Sequence, residues 1–271
     1  MKQEKLTLAI IGVGLIGGSL GLCLKDKLGD DIYITGLCRT QASMDKAMEL
    51  GAVDFATNDI AKVVGNADIV FLSPPVLQIV PMVEKILPPD IYYIAGHPMT
   101  GREKSGVTAA KKDLFVGKAY VIVEDTGAPK EAHDKLMSVL RHTGANFTTL
   151  DIAKHDRCAS VISHVPHVAA AALVTLLNQS GGDMESCIKL IGGGFKDTTR
   201  IASSNADMWA DICMTNGKAI AANLKTLQEI MDKVITACET QDRQAIYDYF
   251  AASKQRRDAL LEDASHKFDP N

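Results

Sequence analysis

Hydrophobic and polar positions follow two different rhythms along the chain. Up to residue 150, short β-branched runs alternate with stretches of helical spacing, which is typical of βαβ units and a parallel sheet. The predicted strands are Leu6–Ile11, Asp31–Leu37, Ile69–Ser73, Tyr92–Ala95, Ala119–Val123 and Asn146–Leu150. The predicted helices begin near Leu15 and cover Ala42–Leu50, Leu77–Leu87, Ser105–Phe115 and Lys130–Thr143.

From Asp151 onward the pattern changes to long alanine- and leucine-rich stretches with helical spacing. The clearest of these are Val168–Leu177, Trp209–Ala237 and Gln244–Leu261. We therefore predict two domains, an α/β domain over residues 1–150 and an all-α domain over residues 151–271.

Composition narrows the class of protein. The 271 residues are 46% hydrophobic, and 29 basic against 33 acidic residues give a net charge of −4. No long basic run is present, which argues against a nucleic-acid partner and favours a small-molecule one. Glycines break the apolar start of the chain, so we interpret it as a strand and a turn and expect no membrane partner. Six cysteines without a C-x-x-C pair indicate reduced thiols in a cytoplasmic protein and no metal site.

A glycine-rich loop of the form G-x-G-x-x-G follows the first predicted strand and leads into an apolar helix. Gly12 allows the tight turn, Gly14 lets the backbone approach a pyrophosphate, and Gly17 allows close helix packing. The helix N-terminus adds amides and the positive end of its dipole. This pattern predicts a Rossmann-type dinucleotide-binding domain whose cofactor contacts are Gly12, Gly14, Leu15, Ile16 and Gly17.

The end of the second predicted strand bears on the choice between NAD and NADP. NAD sites usually carry an acidic residue there, whereas this chain has Cys38, Arg39 and Thr40. Arg39 and Thr40 supply a cation and a hydroxyl that suit a 2′-phosphate. The expected cofactor is NADP or NAD, with a slight preference for NADP. Ser73, at the end of its predicted strand, is a further candidate cofactor contact.

A second motif begins where the strand predicted at Tyr92–Ala95 ends. His97 stands between Gly96 and Pro98, which fix the backbone on both sides and indicate a positioned side chain. The loop over residues 96–106 reads GHPMTGREKSG and resembles the G-H-P-M-x-G-x-E-K-S-G signature of the prephenate and arogenate dehydrogenase family of tyrosine biosynthesis. The resemblance continues in SHVPH at 163–167, GGGFKDTTRIA at 192–202 and Met208-Trp209, so it covers nearly the whole chain.

The resemblance implies an oxidative decarboxylation of prephenate to 4-hydroxyphenylpyruvate. The carbinol hydride passes to the nicotinamide while carbon dioxide leaves and the ring aromatises. His97 is implied as the acceptor of the ring hydroxyl proton, for which an imidazole with an unperturbed pKa of about 6.5 is suited. Arg200 is implied as the ligand of the side-chain carboxylate, with an ion pair to Asp197 or Glu103 as the alternative.

Other residues of the resemblance have less certain roles. His164 and His167 are three residues apart, and Pro166 places them in the first turn of a helix. We prefer His167 as a substrate contact, with simple packing as the alternative for both. Glu103 is a candidate for the substrate site through an ion-pair network. His155 also matches the family, although a solvated helix would carry a similar residue.

One element of the family is missing from the sequence. Another strand and helix should stand between Leu87 and the strand that ends at His97, but the two are connected almost at once. The segment that the family usually has there, a strand and then D-x-G-S-x-K, is absent. A serine that the resemblance implies as a partner of the catalytic histidine is missing with it. Either the protein lacks the element and has a gap in its sheet, or the sequence runs across an omitted segment. We favour the omission, which predicts a chain break near Pro88 and Pro89.

Three alternatives to a prephenate dehydrogenase stay open at this point. An arogenate dehydrogenase differs only in an amino group on the substrate side chain. A β-hydroxyacid dehydrogenase-like reductase shares the two-domain plan, and a non-catalytic dinucleotide sensor would keep the glycine loop alone. The long apolar helices of residues 212–235 predict a homodimer through the helical domain, which the resemblance also implies.

Overall fold

The computed structural model describes residues 5–72, 91–101, 104, 106–124, 127–179 and 184–267. It divides into two compact units, Met1–His155 and Asp156–Asn271. The predicted helix Leu77–Leu87, the chain break near Pro88 and the site candidates Ser73 and Glu103 all lie outside the described residues.

The described part of the first unit begins with a parallel sheet, as predicted, and one of its four strands, Phe55–Thr57, was not predicted. Its strands are β1 (Leu6–Ile11), β2 (Ile32–Leu37), β3 (Phe55–Thr57) and β4 (Ile69–Leu72), in the order β3-β2-β1-β4. The connecting helices are α1 (Leu15–Leu28), α2 (Gln41–Glu49) and α3 (Ile60–Val64). The carboxyl ends of β1 and β2 therefore meet at one edge, where dinucleotide cofactors bind in such sheets.

A second sheet of the same unit consists of β5 (Gly96–Pro98), β6 (Ala119–Val123) and β7 (Asn146–Leu150). Strand β6 pairs antiparallel with β5 and parallel with β7. Helix α4 (Lys130–Leu140) and a 3₁₀ turn (Arg141–Thr143) connect β6 to β7. Among the described strands, β4 ends the first sheet and β5 ends the second, at the place where the sequence lacks the expected element.

Two predictions for the first unit are wrong. Residues 92–95 form no strand, because pairing with β6 is confined to Gly96–Pro98 and one further bond from the amide of Val123 to the carbonyl of Ala95. No helix covers the described part of 105–115, which has only a 3₁₀ turn at Val107–Ala109. Gly106 has a φ of 85°, a left-handed conformation that a helix cannot include.

One hydrophobic core joins both sheets. Leu8, Ile10 and Ile34 project from β1 and β2 onto Leu20 and Leu24 of α1, and all five are almost completely buried. The same cluster includes Phe115, Tyr120 and Ile122, so the second sheet packs on the core of the first.

Helices make up most of the described residues that follow β7. They are α5 (Ile152–Ala159), α6 (Val165–Gln179), α7 (Met184–Lys189), α8 (Gly193–Thr199), α9 (Ala206–Thr215), α10 (Gly217–Glu239) and α11 (Arg243–Lys267). The stretch Trp209–Ala237, for which the sequence predicts helical structure, belongs to two helices that meet at Asn216.

Helices α5 and α6 are continuous through a π-helical turn at Ser160–His164, in which the amide of Val165 bonds the carbonyl of Ser160. Proline 166 follows directly, and the wider turn accommodates a residue that lacks an amide donor. His164 and His167 therefore lie inside a long helix rather than in a first turn, which corrects the prediction. The run Ile152–Gln179 is long and apolar enough to cross a membrane, and only 17% of its most apolar window is buried within the chain.

Candidate active site

The glycine loop has the geometry of a phosphate cradle. Gly12 has a φ of 94°, and its carbonyl accepts a bond from the amide of Gly14 at 2.9 Å, which closes the turn between β1 and α1. A Cβ on Gly17 would lie 2.4 Å from the carbonyl oxygen of Gly12, whereas a Cβ on Gly14 would meet nothing within 4 Å. The space at Gly14 and the first amides of α1, those of Leu15 and Ile16, fit a dinucleotide pyrophosphate.

The end of β2 carries the candidates for the ribose side of the cofactor. Cys38 is buried, and burial raises the pKa of its thiol, so it is neutral and does not act as an anion there. Thr40 caps α2, because its hydroxyl accepts a bond from the amide of Ser43 at 3.2 Å. Arg39 is exposed between them. The structure thus leaves Arg39 as the cation beside the N-terminus of α2.

His97 lies in the middle of β5, opposite Val121 of β6, and its side chain is exposed. The neighbouring glycine has a packing reason: a Cβ at Gly96 would lie 3.0 Å from the ring of Tyr120 and 3.3 Å from the carbonyl oxygen of Val121. A larger residue would push β5 away from β6. Gly96 therefore brings the imidazole of His97 close to the second sheet, as the sequence predicts for a positioned side chain.

A second histidine supports the first. Nδ1 of His97 lies 2.8 Å from Nε2 of His155, and the two rings meet edge to face. His155 is only 4% exposed, so it is not the residue of a solvated helix that the sequence also allowed. Asp151 holds the start of α5, since its carboxylate accepts a bond from the amide of Lys154 at 2.7 Å. Ile152, one turn before His155, packs on a small cluster with Ala95.

The helical unit brings His164 and His167 around Trp209. The ring of His167 stacks on the indole with centroids 4.0 Å apart, and that of His164 meets it edge to face at 6.0 Å. His164 is 6% exposed and accepts a bond at Nδ1 from the side-chain amide of Asn216 at 3.3 Å. That amide also donates to the carbonyl of Asp156 at 2.8 Å. His164 is thus built into the packing of the unit.

His167 is more accessible than His164, and one of its ring nitrogens already has a hydrogen-bond partner. Nδ1 lies 2.9 Å from the carbonyl oxygen of Ser163, and a carbonyl only accepts, so Nδ1 carries the proton. In neutral His167 the other nitrogen, Nε2, is an acceptor. The indole nitrogen of Trp209 is buried and has no hydrogen-bond partner among the described residues.

Arg200 starts a short 3₁₀ turn, Arg200–Ser203, directly after α8, and its side chain is exposed. Thr199, next to it, is held by a bond from its hydroxyl to the carbonyl of Phe195 at 2.7 Å. Within the described ranges, no group of three or more histidine, cysteine or acidic side chains is arranged to hold a metal ion. All six cysteines are free thiols.

Sequence reasoning missed the roles of His155 and Asn216. The signal for His155 was its match to the family beside the domain boundary, but nothing local in the sequence indicates that it meets a residue 58 positions away. Asn216 lies inside the stretch Trp209–Ala237, and nothing in the sequence marks it as a contact of His164.

The models of two domains of one family match the chain. The nucleotide-binding domain of prephenate dehydrogenase matches residues 20–92 and 83–149, and the dimerization domain of prephenate dehydrogenase matches residues 151–252. The chain belongs to the prephenate dehydrogenase family. Residues 83–92 are matched twice, at the place where the sequence lacks the expected strand and helix.

Individual relatives agree. The prephenate dehydrogenase of Bacillus subtilis is 32% identical over 96% of this chain and 77% of its own length. That of Lactococcus lactis is 28% identical over 93% of this chain and 76% of its own length. A crystal structure of the A. aeolicus prephenate dehydrogenase in complex with hydroxyphenyl propionate and NAD⁺ has a TM-score of 0.85 and 27% identity, covering 96% of this chain and all of that one.

These findings confirm several predictions. The fold is a dinucleotide-binding α/β domain followed by a helical domain, and the function is the oxidative decarboxylation of prephenate in tyrosine biosynthesis. The chain is an oxidoreductase that uses a nicotinamide dinucleotide. The arogenate alternative is not favoured, because the two relatives above are both named prephenate dehydrogenases.

Proposed function

We propose that His97 is the group that accepts the proton of the ring hydroxyl when prephenate is oxidised. The observation that carries this proposal is the exposed imidazole of His97 on the short strand β5, with the buried imidazole of His155 at hydrogen-bond distance from its Nδ1. A neutral imidazole is the side chain whose proton affinity suits this transfer near neutral pH. The glycine loop on β1 of the same unit is the place for the cofactor.

The chemistry requires few groups from the protein. A nicotinamide dinucleotide held at Gly12, Gly14 and the first amides of α1 would supply the acceptor for the hydride of the carbinol carbon. As the hydroxyl proton moves to His97, the carbinol becomes a carbonyl, and the electrons of the ring–carboxylate bond then flow into the ring as carbon dioxide leaves. The ring becomes aromatic, and the phenol oxygen recovers a proton. What this chain adds is a proton acceptor and a grip on the substrate that fixes its orientation.

In the helical unit we assign Arg200 to the side-chain carboxylate of the substrate and His167 to a polar group of the substrate through Nε2. The exposed guanidinium suits a carboxylate, and the contact of His167 with Ser163 leaves Nε2 as an acceptor or, when protonated, a donor. We assign His164 to holding Trp209 and His167 in place rather than to the substrate. Glu103 stays a candidate from the sequence alone.

We propose NADP as the preferred cofactor, on the basis of Arg39. The end of β2 has a neutral buried thiol at Cys38 instead of a carboxylate, and an exposed guanidinium follows it. Another member of the family, the A. aeolicus prephenate dehydrogenase, is in complex with NAD⁺ in its crystal structure, so the family is not restricted to NADP. Replacing Arg39 with alanine should raise the KM for NADP about tenfold and leave the KM for NAD unchanged. Equal effects on both cofactors would contradict the assignment.

We also propose a cytoplasmic homodimer, with the domain boundary at residues 150/151 and with dimer contacts in the helical domain. Along α10 one apolar stripe runs through Ile220, Leu224, Leu227, Met231 and Ile235, spaced for one face of the helix. Its exposure rises from 4% at Ile220 to 51% at Ile235. Other parts of the chain bury the start of this stripe but leave its end exposed. This supports the proposal that a second copy of the chain packs against the exposed end.

The test is the initial rate of nicotinamide reduction with prephenate, with NAD and NADP in parallel and arogenate as the comparison substrate. His97→Asn should lower kcat by about 10²- to 10⁴-fold while the cofactor still binds. The matched control is His133→Asn on α4, which should have no effect. Full turnover in His97→Asn would contradict the role of His97. Cofactor binding without turnover in the unaltered protein would favour a dinucleotide sensor instead.

A further inference from the structure

The contact between His97 and His155 bears on which nitrogen of His97 meets the substrate. Nδ1 of His97 and Nε2 of His155 are 2.8 Å apart. Two protonated nitrogens do not sit at that distance as partners, so a single proton lies between them. Either His97 donates and His155 accepts, or the reverse.

The two arrangements have opposite chemical consequences. If His155 donated, neutral His97 would carry its own proton on Nε2 and would have no lone pair on the nitrogen away from His155. If His97 donates from Nδ1, its Nε2 is the lone-pair nitrogen. Only the second arrangement allows neutral His97 to accept a proton at Nε2.

We propose that His155 is a positioning residue that accepts the Nδ1 proton of His97 and so presents Nε2 of His97 as the proton acceptor. This inference rests on the proposed role of His97. Once His97 has taken the substrate proton, its Nδ1 still donates to His155, now from a cation. Such a charge-assisted bond is stronger than the neutral one, so the contact stabilises the transition state more than the ground state.

The surroundings of His155 fit a fixed acceptor. His155 is almost completely buried, and its helix is anchored at its first turn by the Asp151 carboxylate. Ile152, on the same face of α5 one turn earlier, packs with Ala95 and Val123, the residues that flank the β5–β6 pairing. Strand β5 and helix α5 are thereby held together beside His97. His155 gives His97 a partner from a different element of the chain.

The direct test is the tautomer of His97 in the unaltered protein. Imidazole ¹⁵N chemical shifts with two-bond ¹⁵N–¹H couplings distinguish a proton on Nδ1 from one on Nε2, and the spectrum of His97→Asn identifies the His97 signals. We expect neutral His97 with the proton on Nδ1. A proton on Nε2 would overturn the proposal without any need for a His155 variant.

The kinetic test uses two variants of His155. His155→Leu removes the acceptor and should lower kcat about 30- to 100-fold, with little change in the KM for prephenate or in cofactor affinity. His155→Gln keeps a carbonyl acceptor at similar reach and should restore at least a third of the unaltered kcat. A His155→Leu variant with unaltered kcat, or a His155→Gln variant no better than His155→Leu, would reduce His155 to a packing residue.

The two proposals fail separately. If His97→Asn keeps its turnover, the role of His97 fails, and with it the basis of this inference. If His97→Asn is inactive while His155→Leu is fully active, only the role of His155 fails. Thermal unfolding of each variant shows whether loss of activity reflects loss of the fold.

Discussion

The two units of the chain differ in how much of their apolar surface they cover by themselves. In the described part of the first unit, a continuous core of 20 buried residues joins both sheets and their helices. In the described part of the helical unit, the buried apolar residues are Ala159, Ala170, Ile220 and Ala237, matched by as many buried polar ones, Ser160, His164, Thr199 and Asn216. The first unit therefore buries much of its apolar surface within itself, whereas the described part of the helical unit leaves most of its apolar side chains exposed or partly exposed.

The same substitution in both units gives the largest test of this difference. Phe115 is 1% exposed in the core of the first unit, and Phe250 of α11 is 63% exposed. Phe115→Ala should lower the free energy of unfolding by about 3–5 kcal/mol, because it removes buried contacts and leaves a cavity. Phe250→Ala should cost the single chain less than about 0.5 kcal/mol.

Urea titration followed by circular dichroism measures both variants. Fluorescence of Trp209, the single tryptophan, reports separately on the helical unit. Equal losses for the two variants would show that the helical unit has a core of its own, which would contradict the comparison.

Glycine variants in the cofactor loop separate packing within the first unit from binding to it. Gly17→Ala places a Cβ 2.4 Å from a backbone oxygen that cannot move without opening the β1–α1 turn, so both stability and cofactor affinity should fall. Gly14→Ala meets no atom within 4 Å, so it should leave stability unchanged and lower cofactor affinity about 10- to 100-fold by filling the phosphate space.

The measurements are the thermal midpoint and the dissociation constant of the reduced cofactor, by fluorescence. Gly193→Ala, also without neighbours within 4 Å, is the matched control and should change neither quantity. Unchanged cofactor affinity in Gly14→Ala would place the pyrophosphate elsewhere.

The fold of the first unit was predictable where local signals agree with the tertiary structure. Strand β1 has the predicted bounds, since an unbroken apolar run ends at the glycine loop. The helix expected over Ser105–Phe115 fails because Gly106 takes a left-handed conformation that a helical pattern does not reveal. The stretch Trp209–Ala237 has helical spacing throughout, and its division at Asn216 likewise coincides with contacts to Asp156 and His164, which are distant in sequence.

The candidate site was predictable only where a motif carries it. His97 and the glycine loop stand in sequence patterns whose residue types follow from their chemistry. The partner of His97 does not, because α5 brings His155 to it from beyond two strands and a helix. Periodicity gives each element a buried face, but it does not give the identity of the residue that this face will meet.

A charge placed at the exposed end of the α10 stripe tests whether a second copy of the chain packs against the helical unit there. Ile235→Asp should weaken the homodimer about 10- to 100-fold, because a carboxylate would have to be buried in an apolar contact. Thr226→Asp adds the same charge on the opposite, exposed face of α10 and should have no effect.

Sedimentation equilibrium gives the dimer dissociation constant for both variants. An unaltered protein that is monomeric at micromolar concentration would refute the dimer. Flotation with lipid vesicles would point to a membrane as the cover of the apolar helices.

The smallest expected effect comes from a partly exposed ion pair of the first unit, between Asp68 and Lys135. The Asp68 carboxylate accepts bonds from the amide of Thr7 at 2.9 Å and from the Lys135 ammonium at 2.9 Å, and together they lower the pKa of Asp68. The pKa of Asp68 in the folded state is below the ordinary value of 3.8. The stability that its carboxylate contributes is therefore complete above pH 3.8 and is lost as the pH falls through the folded-state pKa. Asp68→Asn should therefore lower the free energy of unfolding by about 0.5–1 kcal/mol at neutral pH and should leave it unchanged in strong acid. The expected loss is small because the pair of Asp68 and Lys135 is partly exposed to solvent.

Asp258→Asn on α11 is the counterpart in the helical unit. Its carboxylate pairs with Lys254 at 2.7 Å and with Arg257 at 3.8 Å, both on the same helix, and among the described contacts it accepts no bond from a backbone amide of another element. Asp68 links the start of β1 to α4, so its loss affects the packing of three elements, whereas the loss of Asp258 affects one helix. Urea titrations of both variants at neutral and acidic pH should show a larger, pH-dependent loss for Asp68→Asn. Equal losses would mean that electrostatic links between elements stabilise the first unit no more than local helix pairs stabilise the second.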